Sequence, residues 1–169
     1  MSSAQAARST VPPIPVDARP GSVPIIDSLP DGPRARLLAK IGRLELESGA
    51  TFMREGEVTA FLAIVVQGRV ALRMRVPERG AITILTLDPG DIVGWSSIVA
   101  PYRATTTATT LEPTELAILE SGELRELLAS DVDVATAFLP HVLQTAAARL
   151  AATRDQLLDI FHAVGLDPW

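Results

Sequence analysis

The chain has 169 residues, 47% of them hydrophobic, with 15 Lys or Arg against 20 Asp or Glu and a formal charge of −5. This length and apolar content support a domain with a real core and exclude a wholly disordered chain; no apolar run is long enough to span a bilayer, and the N-terminus, with no basic head before an apolar stretch, is not expected to be a secretory leader. The lack of cysteine excludes disulfides, thiolate nucleophiles and Cys-ligated metal, which fits a cytoplasmic location, and the negative balance disfavours a domain that grips nucleic acid through a basic face of its own.

Residues 1–24 carry Pro12, Pro13, Pro15, Pro20 and Pro24 and few large apolar groups, which predicts a flexible Pro-rich arm. Folding is expected to begin near Ile25-Ile26. Leu29-Pro30-Asp31 then leads into a short helix, with Asp31 as candidate cap and Pro33 in the first turn. Leu37, Leu38 and Ile41 have the spacing of one buried face, and Gly42 is expected to end the helix.

From Arg43 to Leu119 the pattern is one of short strands with turn signals. Leu44 and Leu46 precede a turn at Gly49. Phe61–Val66 is a continuous apolar run of strand length, broken by Gly68. Val70, Leu72, Met74 and Val76 alternate with polar or small residues, as a half-buried strand does. Pro77-Glu78-Arg79-Gly80 reads as a hairpin turn, with Ile82 and Ile84 on the returning strand. Thr105–Thr110 and Leu116–Leu119 complete a series that points to a sandwich or barrel.

The tail switches to helix. Ser121 is a candidate cap for a segment bearing Leu124, Leu127 and Leu128, and 131–133 should break it. A long helical stretch follows, with an interruption or bend expected at Pro140. Leu143, Ala146, Leu150, Thr153, Leu157 and Ile160 follow alternating spacings of three and four, a seam suited to another helix or to a twofold mate.

Residues 90–105 carry the most information about function. A Gly90-Asp91 turn leads into Ile92-Val93, Gly94 opens a run of small polar residues, and Arg103 closes it. Glycine and small residues let backbone N–H groups converge on an anion, and arginine offers a planar donor fork matched to phosphate. This stretch resembles the phosphate-binding cassette of the cyclic-nucleotide-binding domains of Crp/Fnr regulators. Gly56-Glu57, Phe61–Val70, Leu87–Asp91 and Arg149–Thr153 extend the likeness across residues 27–161. The resemblance implies a mainly β fold, an eight-stranded antiparallel jelly-roll barrel with short flanking helices over 25–130. A dimerisation helix over 131–161 and a tail over 162–169 would follow.

The resemblance also implies a ligand site made of Gly94, Trp95, Ser96, Ser97, Arg103, Ala104, Thr105 and Thr153. Arg103 matches the phosphate-binding arginine, and Thr153 matches a helix threonine that contacts the purine. Trp95 stands where the family carries the glutamate that holds the ribose hydroxyl. Indole can donate but cannot accept a hydroxyl proton. The Gly94–Arg103 interval is also one residue shorter than the commonest family spacing. Three readings of the pocket stay open. It takes a cyclic nucleotide, cAMP or cGMP; it has diverged toward another small effector, with Trp95 as a stacking surface; or it is occluded and the chain is a dimeric interaction module.

The only histidines, His141 and His162, lie in the helical tail, and no Walker-type loop is present. No catalytic or metal-ligating residues, no cofactor and no enzyme activity are expected. The expected role is a stand-alone regulatory or sensor domain, homodimeric through its last helix and signalling through a protein partner. Too few residues follow Ile160 for a helix-turn-helix, so no direct DNA binding is expected, although the chain could act on transcription through a separate DNA-binding partner.

Overall fold

The computed structural model of the chain describes residues 21–76 and 80–164. Two short helices, α1 (Pro24–Asp27) and α2 (Asp31–Leu38), precede the strands. The strands are β1 (Gly42–Leu46), β2 (Thr51–Met53), β3 (Phe61–Gln67), β4 (Val70–Val76), β5 (Gly80–Leu87), β6 (Ile92–Val93), β7 (Thr107–Thr110) and β8 (Thr114–Glu120). Helices α3 (Ser121–Ser130) and α4 (Val132–Val164) follow. The strands form two four-stranded sheets in the orders β1-β8-β3-β6 and β2-β7-β4-β5, with every pairing antiparallel. This is the expected eight-stranded jelly roll with flanking helices and a long C-terminal helix.

The continuous apolar run of β3 has a physical reason. A strand alternates its side chains between two faces, and here both faces are covered. Phe61, Ala63 and Val65 point into the barrel core with Leu116 and Ile118 of β8. Leu62 and Ile64 point the other way with Ala117 and Leu119, into a second core built with Ile26, Leu37, Leu124 and Phe138 of the helices. β3 and β8 are therefore a wall shared by the barrel and the helical layer. By contrast β5 is mostly exposed, and its residues alternate less clearly.

Several boundaries differ from the sequence reading. The arm expected over 1–24 falls mostly outside the described residues, but the fold already includes its last part: Val23 is buried in the helical core, and the Gly21 amide donates to Glu115 at 3.1 Å. Asp31 is the first residue of α2 rather than its cap, and it pairs with Arg34. The helix ends at Leu38, so Gly42 begins β1 and does not terminate α2. Ser121 likewise lies inside α3. The capping side chain is that of Glu120, which accepts from the Glu123 amide at 2.7 Å. α4 continues through Pro140 without interruption, because Val134, Phe138 and Val142 lie on one face across that position and anchor it to the core. It also runs as far as Val164, past the boundary expected at 161. The hairpin turn at 77–80 lies mostly outside the described residues, although Val76 pairs with Gly80 beside it.

Glu115 fastens the N-terminal entry to the sheet. In the β1–β8 register it lies opposite Glu45, a like-charge pairing that alone would be unfavourable. Arg43 bridges both carboxylates, reaching Glu115 at 3.0 Å. The Arg43 hydrogen bond and the Gly21 amide hold the Glu115 carboxyl below the usual carboxylate range, against the opposing effect of burial. A carboxylate stabilised in the folded state contributes above its unfolded pKa of about 4.3, and the contribution disappears as pH falls through the lower folded value. Glu115→Gln should therefore lower the urea midpoint at pH 7. The gap to the wild type should close as both proteins are titrated below about pH 4. An equal gap at all pH values would show that the charge of Glu115 is not what matters.

Candidate functional site

The stretch after β6 makes a sharp backbone reversal. Gly94 adopts the left-handed conformation at φ 75° and leads into a single 3-10 turn, Trp95–Ser97. A Cβ at position 94 would lie 2.8 Å from the Phe61 carbonyl oxygen and 2.7 Å from the end of Met53, so only glycine fits. The Ser97 amide donates back to the Gly94 carbonyl, and the Ile98 amide to that of Trp95. Those two amides are thus engaged inside the turn itself.

Buried hydroxyls hold the turn in place. Ser96 and Thr59 share a hydrogen bond at 2.9 Å. Thr59 is almost fully buried, its amide donates to the Tyr102 carbonyl, and its own carbonyl accepts from the Ser121 hydroxyl at 2.6 Å. Arg125 of α3 adds a clamp from the other side. Its Nη1 donates to the Ser97 carbonyl at 2.7 Å, and its guanidinium sits 4.6 Å over the ring of Tyr102. Tyr102 itself has a φ of 61°, unusual for a residue with a side chain.

Behind the turn lies a cavity of about 530 Å³, bounded by the barrel on one side and α4 on the other. Of the residues expected at the site, Gly94, Trp95, Ser96, Thr105 and Thr153 line it. Trp95 is half-buried against the helical core, so it lines the cavity and leaves space beside it. Ser97, Arg103 and Ala104 are not among the lining residues. Ser97 is fully buried beneath Arg125, and Ala104 belongs to the barrel core. Arg103 is exposed and turned along the protein surface, with its Nη1 donating to the Gly56 carbonyl at 2.8 Å.

The cavity has a cation of a different origin. Arg149 of α4 reaches in from the helix and donates to the Ile92 carbonyl. Burial lowers its pKa, opposed by the negative charge of Asp91. Arginine nevertheless stays charged, because its unperturbed value is so high. Sequence reasoning placed Arg149 in the helix and missed it at the site. The available signal was spacing: it lies one turn before Thr153 on the same helix face. Leu143, Ala146 and Leu150 of that face also line the cavity, while Leu143 and Leu150 remain 68% and 73% exposed. Among the described residues no group of three or more His, Asp or Glu side chains is placed to hold a metal ion.

A jelly roll with a glycine-led turn and a following helix that together line a cavity is an architecture of the cyclic-nucleotide-binding class. The chain belongs to the cyclic nucleotide-binding domain family, of the Crp/Fnr type, with residues 43–131 matching that family. A CRP-like cAMP-activated global transcriptional regulator of Mycobacterium tuberculosis is 26% identical over 75% of this chain and 54% of its own. The chain thus spans about half the length of the curated relatives it matches. Among solved structures, a cyclic nucleotide-binding domain from Methylobacillus flagellatus superposes with a TM-score of 0.73 at 21% identity, covering 81% of this chain and 80% of that one. The N-terminal domain of a Streptomyces coelicolor transcriptional regulator gives 0.60 at 30% identity, covering 79% and 91%.

Thr59 offers a direct check of the turn's support. Thr59→Val keeps the volume but leaves the buried Ser96 hydroxyl without its partner. Such an orphaned group costs about 1–3 kcal/mol. Chemical denaturation should show a loss of that size, and a variant as stable as the wild type would remove the hydroxyl pair from the account.

Proposed function

We propose that this chain is a regulatory sensor domain whose cavity has diverged from ordinary cyclic-nucleotide recognition. The observation that carries the reading is the shared lining of that cavity: Gly94, Trp95 and Ser96 on one side, Leu143 to Thr153 of α4 on the other. An effector filling this space contacts the cassette and the helix together, so occupancy alters how α4 is held. A ligand shifts an equilibrium only through such differential contact.

The effector is cAMP, cGMP or another small molecule. The mycobacterial relative is described as cAMP-activated, but here Trp95 replaces the ribose acceptor and Arg103 is bonded to Gly56. Loss of one charge-assisted hydrogen bond weakens binding roughly ten- to a hundredfold. The signal passes to a protein partner, with α4 pairing two subunits through the face that carries Leu143 and Leu150. The side chains of Leu157 and Ile160, further along the same seam, lie outside the described residues. No described helix is long and apolar enough to cross a membrane, and the charge of −5 speaks against this region gripping duplex DNA by itself.

Two measurements test this. Sedimentation at micromolar concentration should give twice the monomer mass, and Leu150→Asp should give a monomer because it would bury a charge at the seam; a monomeric wild type would refute the pairing. Calorimetry should show weak cAMP binding or none to the wild type, and Trp95→Glu should raise it at least about tenfold only if Arg103 turns from the Gly56 carbonyl to the phosphate. Tight cAMP binding by the wild type would refute the divergence of the pocket.

A further inference from the structure

The cavity has a simple chemical character. Its barrel side is built from Met53, Leu72, Met74 and Leu85, with Ile84 beside them. Two of its hydroxyl groups are engaged, Ser96 being shared with Thr59 and the Thr153 hydroxyl donating to the Arg149 carbonyl at 2.9 Å, and Thr105 and Thr106 add two more at the barrel side. The charged residue lining it is Arg149, which forms no salt bridge among the described residues and donates a hydrogen bond to the Ile92 carbonyl. A guanidinium carries five N–H donors, so one carbonyl leaves most of them available. Asp91, the acidic residue whose charge it feels, is itself exposed.

A cyclic nucleotide is a poor match for such a lining. Its sugar and base present many polar atoms, and each one desolvated without a partner weakens binding. A small acid with an apolar body matches both parts of the site. Its body would displace water from the methionine and leucine wall, and its carboxylate would take the donor fork. Methionine adapts to bodies of different shape. The volume of about 530 Å³ lies within the range of roughly 300–1,000 Å³ typical of small-molecule sites.

We propose that the effector of this domain is a lipophilic carboxylic acid, anchored by Arg149 of α4 in place of the cassette arginine, with its apolar body between the barrel wall and the helix. The inference rests on the reading of the cavity as an effector site. It also supplies a route to the helix, because the anion is held by a residue of α4 itself. Engaging Arg149 draws on the same guanidinium that now bonds to the Ile92 carbonyl of β6, so ligand occupancy changes how α4 is tied to the barrel.

Octanoate, 1-octanol, cAMP and cGMP, each titrated calorimetrically into the full chain, form the test, with Arg149→Met and Arg103→Ala as variants. Octanoate should bind the wild type ten- to a hundredfold more tightly than 1-octanol, the contribution expected of a charge-assisted hydrogen bond. Arg149→Met should lose that preference, and Arg103→Ala should keep it. The comparison of octanoate with octanol uses the unmodified protein, so it stands even if a variant folds poorly. Equal binding of the two probes, or no octanoate binding, would overturn the proposal. Cyclic-nucleotide binding that depends on Arg103 but not on Arg149 would overturn it while leaving a sensor function in place. Failure of all four probes would count against the effector site as well.

Discussion

The buried hydroxyl of Thr59 is the point at which the separate parts of this site meet. Through its side chain it holds Ser96 in the turn, through its amide it holds the Tyr102 carbonyl at the end of the loop, and through its carbonyl it accepts from Ser121 at the start of α3. A neighbouring bond, from the Ser121 amide to the Ala60 carbonyl, continues the same network. In a low-dielectric interior such groups are costly to leave unpaired. Moving any one of these segments therefore exposes polar groups in the others, which is why the turn, the loop end and the helix start behave as one body.

The wall formed by β3 and β8 explains how that body is connected to the rest. With apolar side chains on both faces, the two strands belong to the barrel core and to the helical core at once. Close-packed interiors pass on displacement because they hold few voids. A change on the barrel side of this wall is felt by Phe138 and Val142 of α4 on the other. The helix is thus anchored at its start by packing, while further along, Leu143 and Leu150 are exposed beside the cavity. That division gives α4 a fixed base and an uncovered upper face.

The placement of arginines separates this site from the pattern its sequence resembles. Arg103 is occupied by the Gly56 carbonyl on the surface, Arg125 clamps the Ser97 carbonyl and Tyr102, and Arg149 is the one that reaches the cavity. Arginine at a bidentate site is defined by where its fork points, and a match in sequence position does not determine that. Trp95 shows the same principle with a different residue. It contributes apolar surface to the helical core and to the cavity.

The sequence by itself determined the class of fold and the glycine-led turn at 94. Alternation in β4, the double-sided run of β3 and the glycine-led stretch at 94 are local patterns, and a strand's two-residue period or a left-handed backbone is dictated by neighbouring residues. The same is true of α4 from Leu143 onward, where the three-four spacing was legible, though the anchoring by Val134, Phe138 and Val142 that carries the helix through Pro140 was not. What only the tertiary structure decided were the contacts between residues distant in the chain. Thr59 meets Ser96, Glu115 meets Gly21 and Arg43, Arg125 meets Ser97, and Arg149 turns toward Ile92. Each depends on how whole elements are brought together, and the direction of a long side chain is set by the surroundings it finds there.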